Sequence, residues 1–432
     1  MPSVLLIGDD DLTEETREAL DALDAEVFRL KAPLERDVRR SLETVEIDRV
    51  VVVARADAFV LRMALMVRFV DAEVPLLVTI FDPTMADQVR EEIEHVEVTS
   101  MAEIVAPSLA GPCLGDDLIA IREEADPPVG LREADGGIEE VPVEVPPRRR
   151  AAALARALLT PYDKSAALLL WGALGLVLIL VLEIIACMLV LGQGVVDAAY
   201  GAAKTLVTVD PNDEVVDGPS GLKAFLTVCM LAALVFEASF TAGLVNRLID
   251  RRLTGLLGRR AVPRRDHVVV VGLGQVGLRL AMLLRRCGIG VVAVDNREEG
   301  ENVGFARELG LPVVIGRGAD PSLLRQLSLG RSTALAAVTD DDLENISIAM
   351  AARRVAPDVR VVLRAGDGRV ANETRSLFRI GVVRDVHRIA AVLIAARASG
   401  QDVRGVVCVG DDAHLLHDDG RIEPAAVAAT VG

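Results

Sequence analysis

Polar positions almost vanish from two stretches of the chain. Residues 166–191 carry one charge, Glu183, and residues 224–245 carry one, Glu237. A helix needs about 20 apolar residues to cross a bilayer core, so each stretch predicts a membrane span. Between them, 192–221 is longer than a hairpin needs. Its apolar part predicts a short helix over 196–206, too short to span and therefore expected to re-enter the membrane between the two spans.

Elsewhere the pattern is short valine-rich runs alternating with helical-period segments. HVVVV at 267–271, VVAV at 291–294, LPVVIG at 311–316, ALAAV at 334–338 and VRVVLRA at 359–365 read as buried parallel strands. Helices are expected after each, including 321–327, 343–355 and a last one reaching about 377. The N-terminal region opens the same way, with SVLLIGDD, a helix to about 23, and AEVFRL. Residues 48–82 then parallel 332–367 at a constant offset of 285: Arg68 meets Arg353, Val74 meets Val359, and Asp82 meets Asp367. The chain therefore predicts two copies of one α/β fold, one on either side of a membrane hairpin.

Charge orients the hairpin. Arg148, Arg149, Arg150 and Arg156 precede the first span, and Arg247, Arg251, Arg252, Arg259, Arg260, Arg264 and Arg265 follow the second. The loop between holds Asp197, Asp210, Asp213, Glu214 and Asp217 against Lys204. The arginine excess places both chain ends in the cytoplasm, in the inner (plasma) membrane of a cell. A net charge of -17 with 3% aromatics argues against a nucleic-acid partner. Five cysteines without a CxxC or Cys/His cluster support neither a disulfide framework nor a zinc site. The opening residues lack the basic and apolar regions of a cleaved signal peptide.

The chemistry concentrates after 267. The valine strand feeds Gly272, Gly274 and Gly277, and a helix opens over Gln275 and Val276. A second strand ends at Asp295, followed by Asn296. Strand, tight turn and helix N-terminus cradle a pyrophosphate on free backbone N–H groups, and an acid at this spacing takes ribose hydroxyls. The other reading is that the glycines only allow close helix–strand packing. Thr339 and Asp340 end the fourth strand on the ligand-binding edge, or cap the next helix. The N-terminal copy has Asp9, Asp10 and Asp11 after Gly8, so a dinucleotide is not expected there; surface solvation and divalent-cation sensing both remain open for these acids. Neither a His/Asp nor a Cys/His arrangement accompanies the glycine turn, which argues against hydride-transfer catalysis. DPPVG, DGG and VPPRRR mark 118–159 mainly as a linker, with short strands open around Ile138 to Val145, and 400–432 reads as one strand and a tail.

Together HVVVVGLGQVG, Asp295 after VVAV, the run Gly316 to Asp320 and TDDDLEN at 339–345 resemble the two-span potassium-channel family with regulator-of-conductance gating domains, the type also found in potassium-uptake regulators. The resemblance implies α/β Rossmann-like cytoplasmic domains flanking an α-helical two-span pore module. It divides the chain into a degenerate gating domain (1–117), a linker (118–159), the channel module (160–250), a basic coupling passage (251–265), a nucleotide-binding gating domain (266–399) and the C-terminal segment. It also implies NAD(H) or ATP/ADP as ligand, a divalent cation as a further regulator, and a homotetramer with a cytoplasmic ring. Thr205, Thr208, Val209 and Asp213 fall on the family's filter pattern, while Asp210, Pro211 and Asn212 replace its glycines and tyrosine. Without those glycines the multi-site carbonyl filter is not expected beyond Val209. Glu183 and Glu237 are expected to face the bundle interior or an aqueous path. The function implied is a nucleotide-regulated channel for cations, K+ or Na+; the alternative is a non-conducting membrane-anchored nucleotide sensor that regulates a transporter.

Overall fold

The computed structural model describes residues 1–123, 125–134, 137–143, 164–206, 215, 218–249, 265–366, 381–410, 412–417 and 419–425. The chain forms two units, one of 1–147 with 263–432 and one of 148–262.

The first unit begins with a five-stranded parallel sheet: β1 (Ser3–Ile7), β2 (Glu26–Leu30), β3 (Arg49–Val52), β4 (Leu76–Thr79) and β5 (Val96–Thr99), in the order β2-β1-β3-β4-β5. Helices α1 (Asp11–Ala22), α2 (Glu35–Thr44), α3 (Asp57–Val70) and α4 (Pro83–Glu92) join the strands. Val4 to Ile7 and Val50 to Val52 are fully buried, as unbroken apolar strands covered on both faces must be. A fifth helix, α5 (Met101–Leu114), leads to an antiparallel meander of β6 (Leu118–Arg122), β7 (Val129–Ala134) and β8 (Gly137–Pro142). This sheet corrects the expectation of a linker from 118. The Pro-rich run DPPVG sits where β6 turns back into β7, and Ala120 and Leu131 bury the inner face.

The second unit is a helical hairpin. α6 (Lys164–Leu191) and α8 (Ser220–Ile249) each contain a segment long and apolar enough to cross a membrane, Leu168–Leu191 and Ser220–Val245. They pack through Ile179, Cys229 and Ala233, with Phe236 seated on Gly175. Between them α7 (Val195–Leu206) buries Ala198, Gly201, Ala202 and Thr205, close to the expected 196–206. Val177, Leu178, Leu189, Leu231 and Val235 stay exposed, an apolar surface that water does not tolerate at this extent.

The first unit resumes with β9 (His267–Val271), α9 (Gln275–Arg286), β10 (Gly290–Asp295), α10 (Glu301–Glu308), β11 (Val313–Ile315), α11 (Pro321–Gln326), β12 (Ala334–Ala337), α12 (Asp342–Val355), β13 (Arg360–Ala365) and β14 (Val382–Asp385). The parallel sheet runs β11-β10-β9-β12-β13-β14, the doubly wound order whose switch point lies between β9 and β12. The helix expected up to 377 falls outside the described residues. A final helix, α13 (Val386–Ala398), precedes a second meander of β15 (Val403–Val409), β16 (Asp412–His417) and β17 (Ile422–Pro424). The segment after 400 is thus three strands rather than one, because Val406, Cys408, Ala413 and Leu415 bury one face of it.

Repetition therefore extends through the whole unit: sheet, long apolar helix, meander, twice. The offset of 285 continues, joining Gly115 to Gly400 and Asp117 to Asp402. The two copies exchange their last helices. α13 packs against α1 of the first copy, and α5 packs against α9 and β13 of the second. One hydrophobic core consequently runs through both, from Val4 and Leu20 through Leu109 and Ile394 to Val270 and Leu284. The meanders meet through Ala120, Leu131 and Val407.

Candidate functional site

The turn after β9 is shaped by contacts that only glycine permits. Gly272 has φ of +97°, and a Cβ there would lie 2.8 Å from the Thr339 backbone nitrogen. At Gly277 a Cβ would lie 1.8 Å from the Gly272 carbonyl oxygen, so α9 rests directly on the turn. Gly274 differs: nothing lies within 4 Å of where its side chain would be, and no side chain caps α9. First-turn N–H groups of a helix have no intrahelical acceptor, so this end, opened by half-buried Gln275 and buried Val276, is built to receive an anion.

Asp295 closes the neighbouring side. It is 6% exposed; one carboxylate oxygen accepts the Leu273 N–H at 2.8 Å and the other the Arg297 N–H at 2.8 Å. Each oxygen retains a second lone pair for a hydroxyl. Asn296 is exposed beside it, and the Gly316 N–H donates to the Asp295 carbonyl at 2.8 Å. Asp320 points to a different task. It accepts the Ser322 N–H and hydroxyl at 2.8 and 2.9 Å, capping α11, and those bonds hold its carboxyl below the usual range.

Across the switch point, Thr339 is fixed by Asn345. The Thr339 N–H and hydroxyl both donate to the Asn345 side-chain oxygen at 2.9 Å, and the Asn345 amide donates to the carbonyls of Thr339 and Arg364 at 3.1 Å each. Asn345 is fully buried and ties together β12, α12 and β13. Periodicity gives no hint of that role; its place four residues after the cap Asp341 is the only local signal. Because Asp341 caps α12, accepting the Glu344 N–H at 3.0 Å, Asp340 is left exposed at the strand end.

The N-terminal copy fills the same site with its own side chains. Asp10 stands where Gly274 does, and its carboxylate accepts the Thr13 N–H at 2.9 Å, the Thr13 hydroxyl at 2.7 Å and the Arg55 N–H at 3.0 Å. Strand register places Lys31 at the position of Asp295 and Arg55 at that of Asp340. Lys31 reaches Asp9 at 3.0 Å, and Arg55 reaches Asp11 at 3.9 Å. The three acids are one cap and two ion-paired carboxylates, and among the described residues no group of three His, Cys, Asp or Glu is placed to hold a metal ion. Arg55 also lies 3.2 Å from His387 of α13. Burial, then the Arg55 and Arg364 guanidinium groups, hold the His387 pKa below its ordinary value.

In the hairpin Glu183 is 2% exposed, with its carboxyl against the Thr205 hydroxyl; that hydroxyl donates to the Gly201 carbonyl at 2.8 Å. Glu237 is exposed on α8. Thr208, Val209, Asp210, Pro211, Asn212 and Asp213 lie outside the described residues.

A family model described as the TrkA-N domain matches residues 268–383, from β9 to β14. Residues 268–383 are similar to this domain. The chain is 22% identical over 222 residues to the voltage-gated potassium channel Kch of Escherichia coli strain K12, covering 50% of this chain and 52% of that protein. It is 23% identical over 201 residues to potassium channel protein 1 of Methanocaldococcus jannaschii, covering 45% and 60% respectively. The chain thus spans about half the length of the first relative and 60% of the second. The solved structure titled GsuK Channel superposes with a TM-score of 0.51 at 14% identity, covering 92% of this chain and 64% of that one. Potassium channels thus share sequence with a chain that has a segment similar to the TrkA-N domain and two helices able to cross a membrane.

Proposed function

We propose that this chain is the subunit of a nucleotide-regulated cation channel of the plasma membrane, with both α/β copies in the cytoplasm. The observation that carries the reading is the contrast between Gly274 and Asp10. One copy leaves a helix N-terminus open beside a ribose-spaced acid, and the other closes it with its own carboxylate. NAD(H) or an adenine nucleotide fits the open copy, with phosphates on the Gly272 to Gly277 turn and ribose hydroxyls at Asp295. Thr339 and Asp340 line the other half of the crevice. Nucleotide acts here as a regulator: it shifts the protein between states only if it binds them with different affinity.

The uncovered apolar faces of α6 and α8 support an oligomer in lipid, and a tetramer gives each exposed Glu237 three counterparts around a central path. Buried Glu183 braces α7 through Thr205. Asp210 and Asn212 in place of the filter glycines, with Pro211 in place of the tyrosine, favour a second reading, a non-conducting sensor that regulates a separate transporter.

Purified protein in liposomes under opposed K+ and Na+ gradients, with and without NAD(H), ADP and ATP, tests the proposal. A nucleotide-dependent cation flux supports the channel. Nucleotide binding without flux of either ion in verified tetramers moves the sensor reading ahead.

A further inference from the structure

A cavity of about 420 Å³ opens where the two copies meet, and its lining is basic in a chain of net charge -17. Arg279 and Arg286 come from α9, Arg122 from β6, Arg397 from α13 and Arg404 from β15; Glu103 and Glu123 are the acids on its wall. Glu123 is shared, 3.0 Å from Arg279 and also paired with Arg286. Arg397 turns to Glu97 at 3.2 Å, and Arg122 pairs with Glu140. Arg404 makes no ion pair among the described residues. The Nε atoms of Arg122 and Arg279 are buried without a hydrogen-bond partner. Unmet buried donors are costly, and these two lie on one cavity beside an unpaired guanidinium.

The repeat supplies an internal control. At the matching corner of the other copy, Glu15 stands for Arg279, Ala22 for Arg286, Pro112 for Arg397, Ile119 for Arg404 and Val407 for Arg122. A basic corner needed only to join the copies would serve equally on both sides. The five arginines gather on one, next to the helix that begins at Gly274, whereas the other has Arg384 for Thr99 and Arg388 for Glu103.

We propose that this cavity is a second ligand site, distinct from the glycine turn, for a small phosphorylated metabolite. Guanidinium forks match the oxygens of a phosphate, and Ile121, Leu131 and Leu393 on the same wall suit an organic body. The volume is within the range of small-molecule pockets. A ligand here touches both exchanged helices, both meanders and α9 at Arg279 and Arg286, so it bears on the packing between the copies and on the helix that opens at the nucleotide turn.

The test is isothermal titration calorimetry on the full chain in detergent, with ribose 5-phosphate as probe and inorganic phosphate as reference. The expected result is binding of ribose 5-phosphate, tighter than inorganic phosphate. Arg404→Ala weakens it about tenfold or more at an unchanged melting temperature. Arg122→Gln provides an independent variant, and Gly274→Asp leaves the binding intact. Absence of binding up to millimolar probe overturns the proposal. So does binding unaltered in both arginine variants, or binding lost in Gly274→Asp, which assigns the probe to the glycine turn.

Discussion

At Gly274 the helix α9 offers its first N–H groups with no side chain above them, while at the equivalent position Asp10 folds its carboxylate onto the Thr13 N–H of α1. The difference is one residue, so it can be moved. Gly274→Asp grafts the self-cap into the second copy, and a cap is worth about 0.5–2 kcal/mol to a helix. The expected outcome is a melting temperature at or above that of the parent, together with nucleotide binding weakened by about tenfold or more when measured by calorimetry. Unchanged binding would remove the turn from the site. The reverse probe, Asp10→Ala, is expected to cost about 1–2 kcal/mol in denaturant unfolding, because Thr13 and Arg55 lose their acceptor together. His387 gives a pH dependence. Its pKa is held down in the folded protein by burial and two guanidinium groups, so the unfolded chain binds the extra proton first as pH falls. Stability from this residue is present above about pH 6.5 and declines below it, and His387→Gln should flatten the fall in melting temperature between pH 7 and 5.5.

The elements show where sequence patterns inform and where they stop. The valine strands of the second copy, the two spans and the 196–206 helix were legible because burial on both faces, membrane crossing and a 3.6 period each leave a direct mark on composition. The exchange of α5 and α13 left none. Both helices are apolar nearly all round, and period cannot say which sheet covers them. The meanders at 118–142 and 403–424 were legible only as isolated strands because the sequence around them carries Pro and Gly, residues shared by hairpins and linkers. Within the site, Gly272, Gly274, Gly277 and Asp295 were readable from spacing, but Asp320 as a cap and Asn345 as the fastener of Thr339 follow only from hydrogen bonds. The exchange predicts that the copies unfold as one. Leu109→Ala in α5 removes a fully buried side chain packed with the second copy, and about 2–5 kcal/mol of destabilisation is expected. Calorimetry should show a single transition moved down in temperature; two separated transitions would mean that the copies are energetically independent.

At the scale of the molecule, a hairpin of two helices able to cross a membrane is inserted in sequence between the two segments of a paired α/β unit. In the proposed function nucleotide binds one copy alone, which makes the pair asymmetric. Exposed Glu237 is expected to set cation throughput in an oligomer, so Glu237→Gln should lower conductance without altering nucleotide affinity, read by flux and calorimetry in parallel. The most direct test of the central claim is cation flux in liposomes for the parent chain and for Gly274→Asp, each with and without NAD(H), ADP or ATP. The account predicts that nucleotide changes the flux of the parent and leaves that of the variant at the level of the ligand-free parent. A nucleotide response equal in both proteins would contradict it, by showing that regulation does not pass through the glycine turn.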